Sequence, residues 1–149
     1  MEAILFVGIQ AAGKSTFYAR GFFKTHIRLN LDMLHTRHRE AILLNACLEA
    51  KQPFVIDNTN PTIIDWARYV IPASAYHFRV IGYYFQTSVQ AALRRNVNRS
   101  AGERIPDKGL LGTYKRLQVP TLKEGFDQLF YVHLTDAGEF LMKDSPYEL

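Results

Sequence analysis

The chain has 149 residues, 48% of them apolar, a net charge of +4 and a single cysteine. That size and apolar content predict one soluble globular domain, 1–149, able to bury a core. The lone cysteine excludes an internal disulfide framework and fits a reducing cytoplasm. No apolar run approaches membrane-spanning length, and the positive excess suits a polyanionic partner.

In chain order the first element is an apolar run, Ala3–Val7, read as a strand and not as a signal peptide, since no basic segment precedes it. It leads into Gly8-Ile9-Gln10-Ala11-Ala12-Gly13-Lys14-Ser15-Thr16, which matches G-x-x-x-x-G-K-[ST]. A helix over Lys14–Phe23 follows, then a short strand around His26–Leu29. The spacing of Ile42, Leu43, Ala46, Cys47 and Ala50 predicts a helix from Met33 to Ala50 with those residues inward. Phe54–Ile56 reads as a third strand, and Pro61 opens a helix running to Val70. Arg79–Phe85 is a fourth strand, and Thr87 caps a helix over Ser88–Asn98. A polar, basic loop spans Arg99–Gly109, before a helix around Leu110–Leu117 and a last strand near Phe130–Leu134. Alternating strands and helices imply an α/β domain with a parallel sheet covered on both faces.

The phosphate loop carries the sharpest chemistry. Gly8 and Gly13 allow the backbone to curl and approach a polyphosphate. The amides of Gln10, Ala11, Ala12 and Gly13, with the helix start at Lys14, Ser15 and Thr16, point at the anion. Lys14 reaches the β and γ phosphates, and the Ser15 hydroxyl holds Mg2+. A nucleoside triphosphate, ATP or GTP, is therefore the expected ligand.

Asp32 follows the second strand, where open parallel sheets bind ligands. A carboxylate there can face the γ-phosphate and take a proton from an attacking hydroxyl. The competing reading is a helix N-cap, and position alone does not separate the two. Arg39 lies two helical turns on, about 10 Å along the same face, where it can clamp an acceptor phosphate. Spacing alone favours an ordinary surface arginine, and Arg37 and His38 are read as solvent-facing. Asp57 ends an apolar strand and opens Asp57-Asn58-Thr59-Asn60-Pro61. It is placed to reach Mg2+ through water or to orient an arginine; the plain alternative is an Asn- and Pro-rich turn. Arg94, Arg95, Arg99, Arg104 and Lys108 outnumber Glu103 and Asp107 around the basic loop. The loop reads as a lid, with Arg99 or Arg104 closing over the γ-phosphate, against the bland reading of a solvated basic face. Cys47, Trp66, Tyr69 and Tyr83-Tyr84-Phe85 are read as packing, and the histidines lack metal-ligand spacing.

With these residues in hand, the chain resembles the kinase domain of polynucleotide 5'-hydroxyl kinases, over nearly its whole length. The phosphate loop is shared by many folds. Val55-Ile56-Asp57-Asn58-Thr59-Asn60-Pro61 and Val119-Pro120-Thr121-Leu122-Lys123-Glu124-Gly125-Phe126-Asp127 are more specific. The resemblance implies a P-loop kinase-like sheet with a basic lid, and Mg2+-dependent transfer of a γ-phosphate to the 5'-OH end of DNA or RNA, as in nucleic acid repair. It implies Asp32 as general base, Arg39 on the acceptor phosphate, and Arg99 and Arg104 as lid arginines. Gln10-Ala11-Ala12 departs from the Pro-Gly usual inside the family's loop. A small-molecule kinase of the same fold, or a nucleotide-driven ATPase switch, are the rival readings.

Overall fold

The computed structural model describes residues 1–144. Among them, β1 (Glu2–Val7), β2 (Ile27–Leu29), β3 (Phe54–Ile56), β4 (Arg79–Phe85), β5 (Gln128–Leu134) and β6 (Phe140–Lys143) form one sheet in the order β2-β3-β1-β4-β5-β6. The pairs β2·β3, β3·β1, β1·β4 and β4·β5 are parallel, and β6 runs antiparallel to β5. The central strands are buried throughout, as expected for a parallel sheet covered on both faces.

The helices are α1 (Lys14–Gly21), α2 (Leu31–Leu34), α3 (Arg37–Ala50), α4 (Ile63–Ala75), α5 (Val89–Val97) and α6 (Asp107–Arg116). On one face, Ala3, Leu5 and Val7 of β1 meet Leu44, Cys47 and Leu48 of α3 and Trp66, Tyr69 and Val70 of α4. On the other, Ile4 and Phe6 meet Phe17 and Tyr18 of α1, with Phe22 just beyond it. Phe6 is fully buried and packs edge-on against Phe17, Phe22, Tyr83 and Phe85, at centroid distances of 5.1–5.9 Å. Burying one such ring contributes about 1.5–3 kcal/mol, with about 0.5–1.5 kcal/mol more for each well-oriented aromatic pair. α5 and α6 pack on each other and on Ile9 of the phosphate loop through Ala92 and Leu110. The two helices that flank the basic loop therefore rest on the phosphate loop.

Five expectations are corrected. The helix expected from Met33 to Ala50 is two helices. His35 closes α2 with φ +71, and Thr36 caps α3 by accepting from Arg39 N–H at 3.1 Å. The inward stripe of α3 is Glu40, Leu44, Cys47 and Leu48, whereas Ile42 is 55% and Leu43 40% exposed. Apolar residues lie almost all round this helix, so hydropathy does not choose its face; the bonds that bury Glu40 do. α4 starts after its Thr62 cap and continues through Pro72 to Ala75, and Ser88, not Thr87, caps α5. β6, unexpected from the sequence, pairs with β5 after a turn at Gly138.

Candidate active site

The carboxyl ends of β1, β2 and β3, with α5 and the start of the basic loop beside them, bound a half-open cavity of about 480 Å³. Gln10, Ala11, Gly13, Lys14, Ser15 and Thr16 line it on the phosphate-loop side, and Asp32, Asp57 and Asn58 on the other. Arg95 lines it from α5, and Arg99 and Glu103 from the basic loop.

Gly13 caps α1 with φ +96, a conformation that leaves the first amides of α1 facing the cavity. Gly8 serves a different end from the one expected. It does not line the cavity; a Cβ there would sit 2.9 Å from the Cβ of Phe85, so the glycine lets β1 and β4 close together. Ala12 is also off the cavity wall and buried. Ala11 holds φ +60, left-handed backbone that favours glycine. Gln10 Nε2 donates to Thr113 Oγ1 of α6 at 3.0 Å, tying the loop to the lid. Its Oε1 is buried and has no hydrogen-bond partner among the described residues.

Lys14 Nζ donates to the carbonyls of Gly8 and Ile9 at 3.0 and 2.7 Å. Burial lowers its pKa to about 8; Arg99 pushes the same way, while Asp57 and Asp32 oppose. An ammonium in that setting gains from any anion that enters. Arg99 Nη1 is buried and lacks a hydrogen-bond partner among the described residues, and it too borders the cavity. Two under-satisfied cationic groups facing one space fit a polyphosphate.

Ser15 Oγ donates to Asp57 Oδ2 at 3.0 Å, so the hydroxyl and the carboxylate read as metal-site residues are neighbours. Both offer hard oxygen donors, which suit Mg2+. Among the described residues, no group of three or more His, Cys, Asp or Glu is placed to hold a metal by itself. Arg28, which sequence reading missed, donates from Nε to Asp57 Oδ2 at 2.8 Å and from Nη2 to Ser15 Oγ at 3.1 Å. It is the neighbouring arginine that Asp57 was expected to orient.

Asp32 sits in the first turn of α2 and is exposed to the cavity. It is not the helix cap. Asn30 is, accepting from Met33 N–H at 3.0 Å. The capping alternative for Asp32 therefore falls away. The Asp57–Pro61 string is far more than a turn. Asn58 Oδ1 accepts from Leu31 N–H at 2.9 Å, Thr59 O from Gly8 N–H at 2.9 Å, and Pro61 O from Gln118 N–H at 2.7 Å. Asn60, with φ +46, donates to Phe6 O at 2.8 Å, and its own carbonyl accepts from Trp66 Nε1. This segment locks together β1, β3, α2 and the phosphate loop.

Other expected residues lie outside the cavity wall. The break at His35 removes the shared helical face of Asp32 and Arg39; Arg39 is exposed, and its Nη1 donates to Leu34 O at 3.1 Å. Arg104 is exposed, while Arg95, not singled out as a site residue, crosses the loop, donating to Ala11 O at 3.4 Å and Thr87 Oγ1 at 3.2 Å. Burial lowers the pKa of Arg95, and only its place on the last turn of α5 could have marked it beforehand. Arg37 is exposed, as expected, and its guanidinium also bonds to Glu40 and Tyr69 at 3.0 and 2.8 Å.

The fold is that of the P-loop kinases. Kti12 of Chaetomium thermophilum, solved with ADP-AlF3, superposes with a TM-score of 0.67 at 17% identity, covering 91% of this chain and 92% of that one. A gluconokinase of Sinorhizobium meliloti 1021 superposes with a TM-score of 0.60 at 16% identity, covering 91% and 83%. No family model matches the chain. In sequence it is distantly homologous to the bifunctional polynucleotide phosphatase/kinase of Schizosaccharomyces pombe, 29% identical over 129 residues. That match takes in 84% of this chain and 32% of the yeast protein, so the chain spans about a third of its relative's length. No helix among the described residues is long and apolar enough to cross a membrane.

Proposed function

We propose that the chain is an NTP- and Mg2+-dependent phosphotransferase that moves the γ-phosphate onto the 5'-OH end of DNA or RNA. The observation that carries this reading is Asp32: a carboxylate free of capping duty, on the same cavity as Lys14 and Arg99. The sequence match to a polynucleotide phosphatase/kinase supports the acceptor class. The phosphate loop ties that match to its kinase activity.

The donor lies along the phosphate loop, its β and γ oxygens on the loop amides and Lys14. Ser15, with Asp57 through water, would hold Mg2+, which would supply positive charge to offset that of the transferring phosphate. Asp32 accepts the proton of the 5'-OH as that oxygen bonds to the γ-phosphorus. The bond from the γ-phosphorus to the β–γ bridging oxygen breaks, and NDP leaves with its electron pair. Lys14 and Arg99 offset the charge that develops on the transferring group. Arg39, on the surface beyond α2, meets the acceptor backbone once a strand lies across the cavity mouth.

A small-molecule kinase is the second reading, favoured by the fold shared with a gluconokinase. A nucleotide switch has no use for a carboxylate placed like Asp32. Transfer of labelled γ-phosphate to 5'-OH oligonucleotides, run beside sugar acids, nucleosides and other small acceptors, decides between them. Labelled oligonucleotide is the expected product; label only on a small acceptor moves the assignment to the second reading.

A further inference from the structure

Among the described residues, Glu40 is the buried carboxylate that the proposed chemistry leaves unused, 2% exposed. Burying a charged group this deeply is costly unless it is fully paired. Glu40 is. Its Oε1 accepts from Arg37 Nη1 at 3.0 Å and from the Tyr69 hydroxyl at 2.9 Å. Its Oε2 accepts from Asn58 Nδ2 at 3.0 Å.

The last contact leads to the cavity. Asn58 spends its other end, Oδ1, on the N–H of Leu31, the first residue of α2 and the neighbour of Asp32. α2 has only four residues and is too short to hold its own position. It is pinned at its start by the Asn30 cap and by Asn58. Glu40 fixes which way round the Asn58 amide lies, because a carboxylate accepts only from Nδ2 and so turns Oδ1 toward Leu31.

We propose that Glu40, with Tyr69 and Arg37 behind it, is a positioning residue that sets Asp32 through Asn58 and Leu31; this rests on the reading of Asp32 as general base. Glu40→Gln replaces one acceptor oxygen by an NH2 group. If the amide oxygen stays with Arg37 and Tyr69, NH2 faces the Asn58 NH2, donor against donor. Asn58 must then flip or withdraw, and either releases Leu31. Asn58→Ala cuts the same link at its other end; it removes the Asn58 bonds to Glu40 and Tyr69 but keeps those among Glu40, Arg37 and Tyr69.

The test is a double-mutant cycle on the full chain. The kcat for 5'-OH oligonucleotide at saturating acceptor and the Kd for ADP are measured for wild type, Glu40→Gln, Asn58→Ala and Asp32→Asn, and for each of the first two variants combined with Asp32→Asn. Glu40→Gln and Asn58→Ala should each lower kcat about tenfold or more, the scale of a catalytic group displaced by a fraction of an ångström. In Glu40→Gln the ADP affinity should stay within about twofold, because Glu40 does not line the cavity. In the Asp32→Asn background neither should cost anything further. Wild-type kcat in both variants overturns the inference, as does an equal loss with and without Asp32. If Glu40→Gln fails to fold, Asn58→Ala decides alone. A fully active Asp32→Asn enzyme is a separate result, which overturns the assignment of the base itself.

Discussion

Ser15 and Asp57 lie 42 positions apart in sequence, yet Ser15 Oγ donates to Asp57 Oδ2 at 3.0 Å, with Arg28 bridging the two. The phosphate loop and the end of β3 are thereby joined before any nucleotide binds. Asp57 is 2% exposed and Arg28 is its cationic partner at 2.8 Å. Breaking a buried pair by removing one member is far more damaging than removing both. Arg28→Met should lower stability by about 3 kcal/mol, read from urea unfolding. Adding Asp57→Asn should recover part of the loss. A single variant as stable as wild type would show that the pair is not needed to hold Asp57.

Lys14 couples function to stability with opposite signs. Its pKa falls from 10.5 when unfolded to about 8 when folded. Between these values the unfolded chain binds more protons, so stability rises with pH from about 8 towards 10.5. Below about 8 the lysine is charged in both states, and folding bears the whole cost of burying it. Lys14→Met should therefore abolish transfer and raise the melting temperature at pH 7. The gain should shrink as pH climbs through that window. A variant less stable than wild type at pH 7 would contradict the burial argument.

Asp32→Asn should cut kcat by about a hundredfold or more, with no loss of stability, because Asn30 and not Asp32 caps α2. Thermal melts and steady-state kinetics on one preparation check both halves. Normal kinetics would leave Asp32 without a catalytic role.

The sheet was readable because β3 and β4 are unbroken apolar runs and the phosphate loop anchors β1. The break between α2 and α3 had a signal, Thr36 as an N-cap, but the helical spacing on either side masked it. Glu40 could not be foreseen as buried, since two of its three partners, Tyr69 and Asn58, come from α4 and from the loop after β3. Arg28 sits on a three-residue edge strand with nothing local to show that it faces Asp57. β6 is four residues, none of them buried, and follows a turn at Gly138. Local chemistry was legible, and contacts made across the sheet were not.

Two substitutions in the phosphate loop should move stability in opposite directions. Ala11 holds φ +60, so Ala11→Gly should stabilise by about 1 kcal/mol. Gly8→Ala sets a methyl 2.9 Å from the Cβ of Phe85 and should cost about 2 kcal/mol. Chemical denaturation of both variants checks the pair. Equal effects at the two positions would mean that backbone conformation and strand packing are not what distinguishes them.

The central claim is that the γ-phosphate goes to a 5'-hydroxyl end, with Asp32 taking the proton. The most direct measurement uses two oligonucleotides identical except that one ends in 5'-OH and the other in 5'-phosphate. Each is incubated with γ-labelled NTP and Mg2+, with wild type and with Asp32→Asn, and label at the 5' terminus is counted. The expected result is label on the 5'-OH strand alone, at a rate about a hundredfold lower with Asp32→Asn. No label on either strand, from protein that hydrolyses the NTP or phosphorylates a small metabolite under the same conditions, would contradict it.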